Sequence, residues 1–278
     1  MNSSTGHMVV KFWGVRGSIP TPGGQNMGVG GNTTCLEVRL PEGQALIIDG
    51  GTGARPLGSA LAKEAPEKPS DLHIFLTHFH WDHIQGLPFF QPLYSSENSV
   101  TFYSLLPPEE TREVLEGQMT VPYFPVEFHF LPAQRSFVNV TERSFHFGET
   151  EVSSFRLNHP QGCCGYSFTH RGSKLVFASD FEPGDPAFDG ILRTAAEGAE
   201  VLILDAQFTP EEYQRHHGWG HSTWLQATEV ARQTGAKKLI LFHHDPSRSD
   251  EMMQQILLAA RERFPETYLA VEGESHAI

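Results

Sequence analysis

The chain has 278 residues, 39% of them hydrophobic and 11% aromatic, and its 33 acids against 20 bases give a net charge of −13. That length suits one large α/β domain or two small ones with a full core. No apolar run approaches the roughly 18 residues of a membrane helix, and without a dense Lys/Arg run the chain is not expected to grip a large nucleic acid, whose counterions only a basic face displaces.

The first eight residues, "MNSSTGHM", lack the basic and then apolar order of a signal peptide and read as an expression-tag remnant. Residues 9–278 are then expected to form a single domain. Three cysteines, an odd number with Cys163 and Cys164 adjacent, do not form a disulfide framework. They imply a reducing, cytoplasmic setting.

Along the chain, a Pro/Gly-rich stretch (residues 18–32) reads as a shaped loop near a site, and two others (63–71 and 180–190) as surface connections. Between them lie six strand candidates. "ALIID" ends at Asp49, "LHIFLTH" at His78, "SSFRLNH" at His159, "KLVFASD" at Asp180, "VLILD" at Asp205 and "KKLILFH" at His243. Most are continuous apolar runs, as for strands covered on both faces. The third alternates, which points Phe155, Leu157 and His159 the same way. Helices are expected from Ser222 to Gly235 and from the cap-like Ser249 and Asp250 to Pro265, with Met252 and Met253 as core filler.

One acid or histidine after a strand is an ordinary turn or cap residue. Six of them suggest a site in the crevice beyond the strand ends of an α/β sheet. The stretch "THFHWDHIQG" (residues 77–86) supplies most of the chemistry. His78 and His80, two apart in extended chain, can chelate one cation, while Asp82 and His83 can enter the same pocket after a reversal of direction. Four ligands from one loop suit two metals better than one. His159, Asp180 and His243 can supply the remaining positions, and a donor set of imidazole and carboxylate without thiolate favours Zn²⁺, with Mn²⁺ or Fe²⁺ as alternatives.

In this order "THFHWDH", "LNH", "FASD", "GHST" and "LFHHD" resemble the metallo-β-lactamase superfamily, and within it the phosphodiesterase branch that includes ribonuclease Z and cyclic-phosphate hydrolases. "KFWGVRGSIPTPG", "GGNTTC" and "IIDGGTG" extend the likeness over nearly the whole chain from Val9. The resemblance implies a four-layer αββα sandwich of two mixed sheets. It implies His78, His80 and His159 on one metal, Asp82, His83 and His243 on the second, Asp180 bridging them, and Asp49 bracing the metal loop. His243 is preferred over His244 because it directly follows "LILF". The implied reaction is attack on a phosphodiester by a hydroxide held between two cations, with His221 as the proton donor to the leaving alkoxide and Asp205 orienting it. Asp82 counts with the catalytic residues as well as the ligands. A homodimer is expected by the same analogy.

Arg16 reads equally as a contact to a substrate phosphate or as a structural ion-pair partner. Asn32 and Thr33 either line the site or close a Gly-rich turn. His216 and His217 read as loop residues, and Trp81, "LPFFQP" and "MTVPYFPV" as core aromatics or as an apolar wall for a flat group. Ribonuclease Z-like enzymes insert a basic, tRNA-holding arm between the third-motif histidine and the bridging aspartate. Here only 20 residues separate His159 from Asp180, among them "QGCCGYSF", which departs from the small-residue segment of the family. A small phosphodiester, such as a cyclic nucleotide or cyclic sugar phosphate, is therefore the expected substrate. The competing readings are a thioesterase or lactonase, a tRNA 3′-processing endoribonuclease and a non-catalytic metal-containing sensor.

Overall fold

The computed structural model describes residues 6–64, 69–141 and 143–278. Four of the residues expected as a surface connection, 65–68, and residues 1–5 of the expected tag remnant lie outside that description. Met8 is fully buried, and its carbonyl accepts a hydrogen bond from the Ile278 N–H. The packed body therefore reaches back to Met8.

Two seven-stranded sheets form the centre. The first holds β1 (Val9–Gly14), β2 (Cys35–Arg39), β3 (Ala45–Ile48), β4 (Asp71–Phe75), β5 (Ser99–Ser104) and β6 (Gln134–Asn139) in chain order. The second runs in order from β7 (Ser144–Phe147) through β8 (Thr150–Leu157), β9 (Cys163–His170), β10 (Ser173–Ala178), β11 (Val201–Asp205) and β12 (Leu239–Phe242) to β13 (Thr267–Leu269). β14 (Ser275–Ala277) returns to pair with β1 at the edge of the first sheet. Each sheet is mixed in the same way: β1, β2 and β3 pair antiparallel and β3 to β6 parallel, and β7 to β10 pair antiparallel and β10 to β13 parallel.

The period of two sorts the first sheet's side chains between two cores. Leu46 and Ile48 join the interior between the sheets, whereas Ala45 and Ile47 pack outward with Leu57 and Leu61 of α1 (Ala54–Glu64). The short α2 (Trp81–Ile84) and α3 (Pro108–Gln118) complete that outer side; α4 (Pro186–Ala196), the one-turn α5 (Pro210–Tyr213), α6 (Trp224–Thr234) and α7 (Asp250–Arg263) belong to the second half. Apolar residues of α4, α6 and α7 share the large core with β10, β11 and β12. Helix, sheet, sheet, helix is the layering expected from the family resemblance. Among the described residues no helix is long and apolar enough to cross a membrane.

Two helix expectations change. The helix expected from Ser222 starts at Trp224, with Thr223 as its cap. Thr223 Oγ1 accepts from Gln226 N–H at 3.1 Å and Gln226 Oε1 accepts from Thr223 N–H at 2.9 Å, while Ser222 turns inward to Asp205. The reciprocal pair satisfies two donors that a helix start leaves unpaired. Ser249 does cap α7, and Met253 is buried, but Met252 lies on the solvent side of α7 and is no core filler.

Thr223→Ala is expected to lower the unfolding free energy by about 1 kcal/mol in urea titration, with Thr223→Ser close to the parent. Equal stability of Ala and parent would show that the box does not hold the start of α6.

Candidate metal centre

Every expected ligand arrives from the C-terminal end of a strand. Asp49 and His243 follow β3 and β12 directly, Asp180 follows β10 after Ser179, and all three have left-handed backbones, with φ of 59°, 58° and 59°. Non-glycine residues seldom adopt that conformation, and such outliers concentrate where a site imposes them. Here the turn aims each side chain back into the crevice instead of continuing the strand's alternation. The Leu76–Thr77 segment after β4 is held from the second sheet: Cys164 N–H donates to Thr77 O at 3.1 Å and Tyr166 O–H to Leu76 O at 2.7 Å. Cys163 and Cys164 are thus buried supports under the loop, with burial raising both thiols, that of Cys164 to about 12.

Two groups form. Nitrogens of His78, His80 and His159 converge within 4.8 Å of one another, with His80 Nδ1 3.2 Å from His159 Nε2. Asp82, His83 and His243 converge likewise, Asp82 Oδ2 lying 3.4 Å from His83 Nε2 and 3.2 Å from His243 Nε2. Asp180 stands between them. Its Oδ1 is 3.8 Å from His78 Nε2, 3.9 Å from His159 Nε2 and 3.4 Å from His243 Nε2, and its Oδ2 is 3.2 Å from His83 Nε2.

The outward nitrogen of each imidazole has its own partner. His78 Nδ1 meets Thr77 Oγ1 at 3.0 Å, and that hydroxyl donates to Asp49 Oδ2 at 2.9 Å. His83 Nδ1 donates to Asp49 Oδ2 at 2.7 Å, His159 Nδ1 to Gly220 O at 2.8 Å and His243 Nδ1 to Gln207 Oε1 at 2.9 Å; His80 Nε2 lies 3.1 Å from Gln161 Oε1. Acceptors outside fix the tautomer that turns a lone pair inward, the arrangement that orients metal-ligating histidines. The inward Nε2 atoms of His78 and His83 are buried with no hydrogen-bond partner among the described residues. A buried polar atom left unpaired costs about 1–3 kcal/mol, so these residues fit a divalent cation as the missing partner.

The charges agree. Burial by itself would raise the carboxyls of Asp82 and Asp180, but the surrounding imidazoles, His83 and His243 among them, hold both well below the usual range. Burial lowers His78 and His159, which suits neutral ligands. His83 goes the other way: burial would lower it, yet Asp180, Asp82 and Asp49 together raise it well above an ordinary histidine. The pocket is an electronegative well that only cationic charge balances.

His221 adjoins this cluster. Its Nδ1 lies 2.8 Å from Asp205 Oδ2, and its ring stacks on His243 with centroids 4.9 Å apart. Asp205 is fully buried and also accepts from Ser222 N–H at 2.9 Å and from Gln207 and Asp180 N–H at 3.2 Å. Burial would lower the His221 pKa, but Asp205 above all, then Asp180 and Asp82, raise it to about 9. The Asp205 contact fixes Nδ1 of the imidazole and favours its protonated form.

Other residues land elsewhere. Arg16 is fully buried, donating to the carbonyls of Gly30 at 2.8 Å, Arg248 at 2.9 Å and Asp245 at 3.2 Å. It ties loops together, and the expected contact with a substrate phosphate is withdrawn. Asn32 is spent on Glu272, and the buried Thr33 on Thr52 and Gln85, so both close turns and neither is placed to line the site. His244 is a buried structural residue, its Nε2 2.9 Å from Ala270 O and its pKa lowered by burial to about 3. Of the aromatics read as core or wall, Phe90 is fully buried in the outer core, whereas Trp81 and Tyr123 are 80% and 81% exposed.

Sequence reading overlooked Gln207, Gln161, Gly220 and the Ser18 N–H, which donates to Asp82 Oδ2 at 2.7 Å. It also passed over Gly17, where a Cβ would lie 2.3 Å from the His243 ring. Only Gln207, two residues beyond Asp205 in "LILDAQF", carried a local signal.

Known proteins resemble this chain in sequence and fold. The ribonuclease Z of Bacillus cereus (strain G9842) is 26% identical over 319 aligned positions, covering 96% of this chain and 98% of the relative. The metallo-beta-lactamase fold protein YhfI from Bacillus subtilis superposes with a TM-score of 0.74 at 18% identity, covering 98% of this chain and 99% of that one. A diphosphatase from the PhnP family superposes with a TM-score of 0.70 at 21% identity, covering 98% of both chains. The family model described as beta-lactamase superfamily domain matches residues 45–244. That span opens on the strand before Asp49 and closes just past His243, and the chain belongs to this family.

Proposed function

We propose that the protein is a metal-dependent phosphodiesterase that hydrolyses a small diester, a cyclic nucleotide or cyclic sugar phosphate, at two divalent cations, with Zn²⁺ the best match to the donors. One observation carries the reading: an imidazole, that of His221, hydrogen-bonded to the buried carboxylate of Asp205, stands beside a seven-residue cluster of candidate ligands. When bound, such cations polarise the phosphoryl oxygens and make water nucleophilic at neutral pH.

The chain's own residues do the rest. Asp49, Thr77, Gln207 and Gly220 fix the imidazoles, and Asp82 is steadied by the Ser18 N–H. With Nδ1 committed to Asp205, His221 has Nε2 left to protonate the departing alkoxide. An alkoxide needs that proton, whereas the thiolate of a thioester departs without such help. This favours a phosphodiester over the thioesterase reading.

A second reading, tRNA 3′ processing, is favoured by the similarity to ribonuclease Z. Against it, β9 and β10 form a hairpin closed by Arg171 and Gly172 alone, which leaves no arm between His159 and Asp180. The aligned length of 319 positions exceeds this chain's 278 residues, so the relative carries segments that this chain lacks. The net charge of −13 also disfavours a polyanionic substrate. Three buried free cysteines fit a reducing, cytoplasmic setting.

In a side-by-side assay, 2′,3′- or 3′,5′-cyclic nucleotides should be hydrolysed at least about tenfold faster than pre-tRNA is cut; the reverse order would establish the second reading. His221→Ala should retain two metal ions per chain by elemental analysis yet lose about 10²- to 10⁴-fold in turnover of an unactivated diester, with partial recovery on a 4-nitrophenyl ester. Full activity on the unactivated diester would remove His221 from the reaction. Asp205 raises the His221 pKa above that of an ordinary histidine, so its protonated form persists to higher pH and is lost as pH rises through the raised value. Asp205→Asn should therefore move the alkaline limb of the kcat/KM profile to lower pH, and an unmoved limb would assign it to another group.

A further inference from the structure

Glu182 lies two residues past Asp180 and is only 8% exposed although acidic. Its carboxylate accepts three hydrogen bonds, from Gly218 N–H at 2.7 Å and Tyr213 O–H at 3.0 Å on Oε1 and from Gly220 N–H at 2.8 Å on Oε2. Its backbone is clamped as well: Glu182 N–H donates to Asn158 O at 2.9 Å, and Asn158 Nδ2 donates back to Glu182 O at 2.8 Å. One residue therefore joins the segment after β10, the segment before His159 and the loop that leads into His221.

That loop needs an external restraint. Gly218 and Gly220 have φ of 84° and 85°, and glycine by itself holds no single conformation. Gly220 is pressed against a ligand: its carbonyl accepts from His159 Nδ1 at 2.8 Å, and a Cβ there would lie 2.2 Å from that atom. The next residue is His221. Gly220 thus meets the Glu182 carboxylate through its N–H, His159 through its carbonyl and His221 through the chain. A carboxylate presents acceptors alone, so it can receive all three donors, whereas an amide must turn its NH₂ toward one of them.

We propose that Glu182 is a positioning residue that couples the placement of His159 to that of His221 through Gly220. It touches neither the reacting atoms nor the inner cluster. Two measurements test this, and only the kinetic one rests on the phosphodiesterase reading. In chelator competition, Glu182→Gln should bind Zn²⁺ up to about tenfold more weakly than the parent, the lower end of the effect of losing a direct partner of a ligand, because Glu182 acts on His159 through Gly220. In kinetics, kcat should fall with KM nearly constant, and the fall should be at least about tenfold larger for an unactivated diester than for its 4-nitrophenyl counterpart, because a displaced His221 matters only where the leaving group needs a proton.

A residue that merely stabilised the fold would lower both activities in the same ratio and leave the Zn²⁺ affinity of the folded fraction unchanged, and that result overturns the proposal. If Glu182→Gln does not fold, Tyr213→Phe removes one of the three donors from a half-buried position, and a few-fold change in the same two quantities is expected. Parental affinity and parental substrate ratio in Tyr213→Phe would then overturn the proposal. If the parent hydrolyses no diester, the phosphodiesterase reading fails, and the Zn²⁺ competition alone decides the role of Glu182.

Discussion

A single buried carboxylate, Asp180, organises the site. Within 4 Å of its two oxygens stand the inward nitrogens of His78, His83, His159 and His243. Such a group is costly to bury unless positive charge meets it. The imidazoles meet it in part, and their tautomers are dictated from outside by Asp49, Gln207, Gly220 and Thr77. The chemistry of the centre follows from this division, with acceptors around the rim and lone pairs toward the middle. The strand ends serve it, since three of them turn left-handed to deliver their side chains.

Asp205 plays the corresponding part for His221, the proposed proton donor. It binds His221 Nδ1, and it also accepts the N–H of Asp180. His221 and the carboxylate at the middle of the cluster are therefore registered against one buried side chain. This explains why Asp205 must be wholly enclosed: its acceptor sites are filled by backbone and imidazole donors, and water has no access to compete.

Much of this was legible in the sequence, because strands β3, β4, β10, β11 and β12 are continuous apolar runs, each followed closely by its acid or histidine, and because His78 to His83 carry their spacing within one short segment. The family resemblance, borne out by the matching family model, supplied the αββα layering that such runs do not specify. What escaped were contacts made by atoms without side-chain identity or by residues distant along the chain. Gly220 acts through a carbonyl, Ser18 through an N–H and Gly17 through the absence of a Cβ. Arg16 misled because a buried arginine that feeds carbonyls has the same letter as one that binds phosphate. Ser222 and Thr223 both have capping chemistry, and only the pull of Asp205 on Ser222 decides between them.

The candidate ligands are divided between the two halves of the sandwich. His78, His80, Asp82 and His83 hang from the first sheet, and His159, Asp180 and His243 from the second. Each three-residue group draws on both. An ion seated there would act as a rivet between the layers, adding its binding free energy to the cohesion of the whole molecule. Resistance to heat and hold on the ion are then a single property viewed from two sides, and a change that loosens one layer from the other, however far from the crevice, weakens both together.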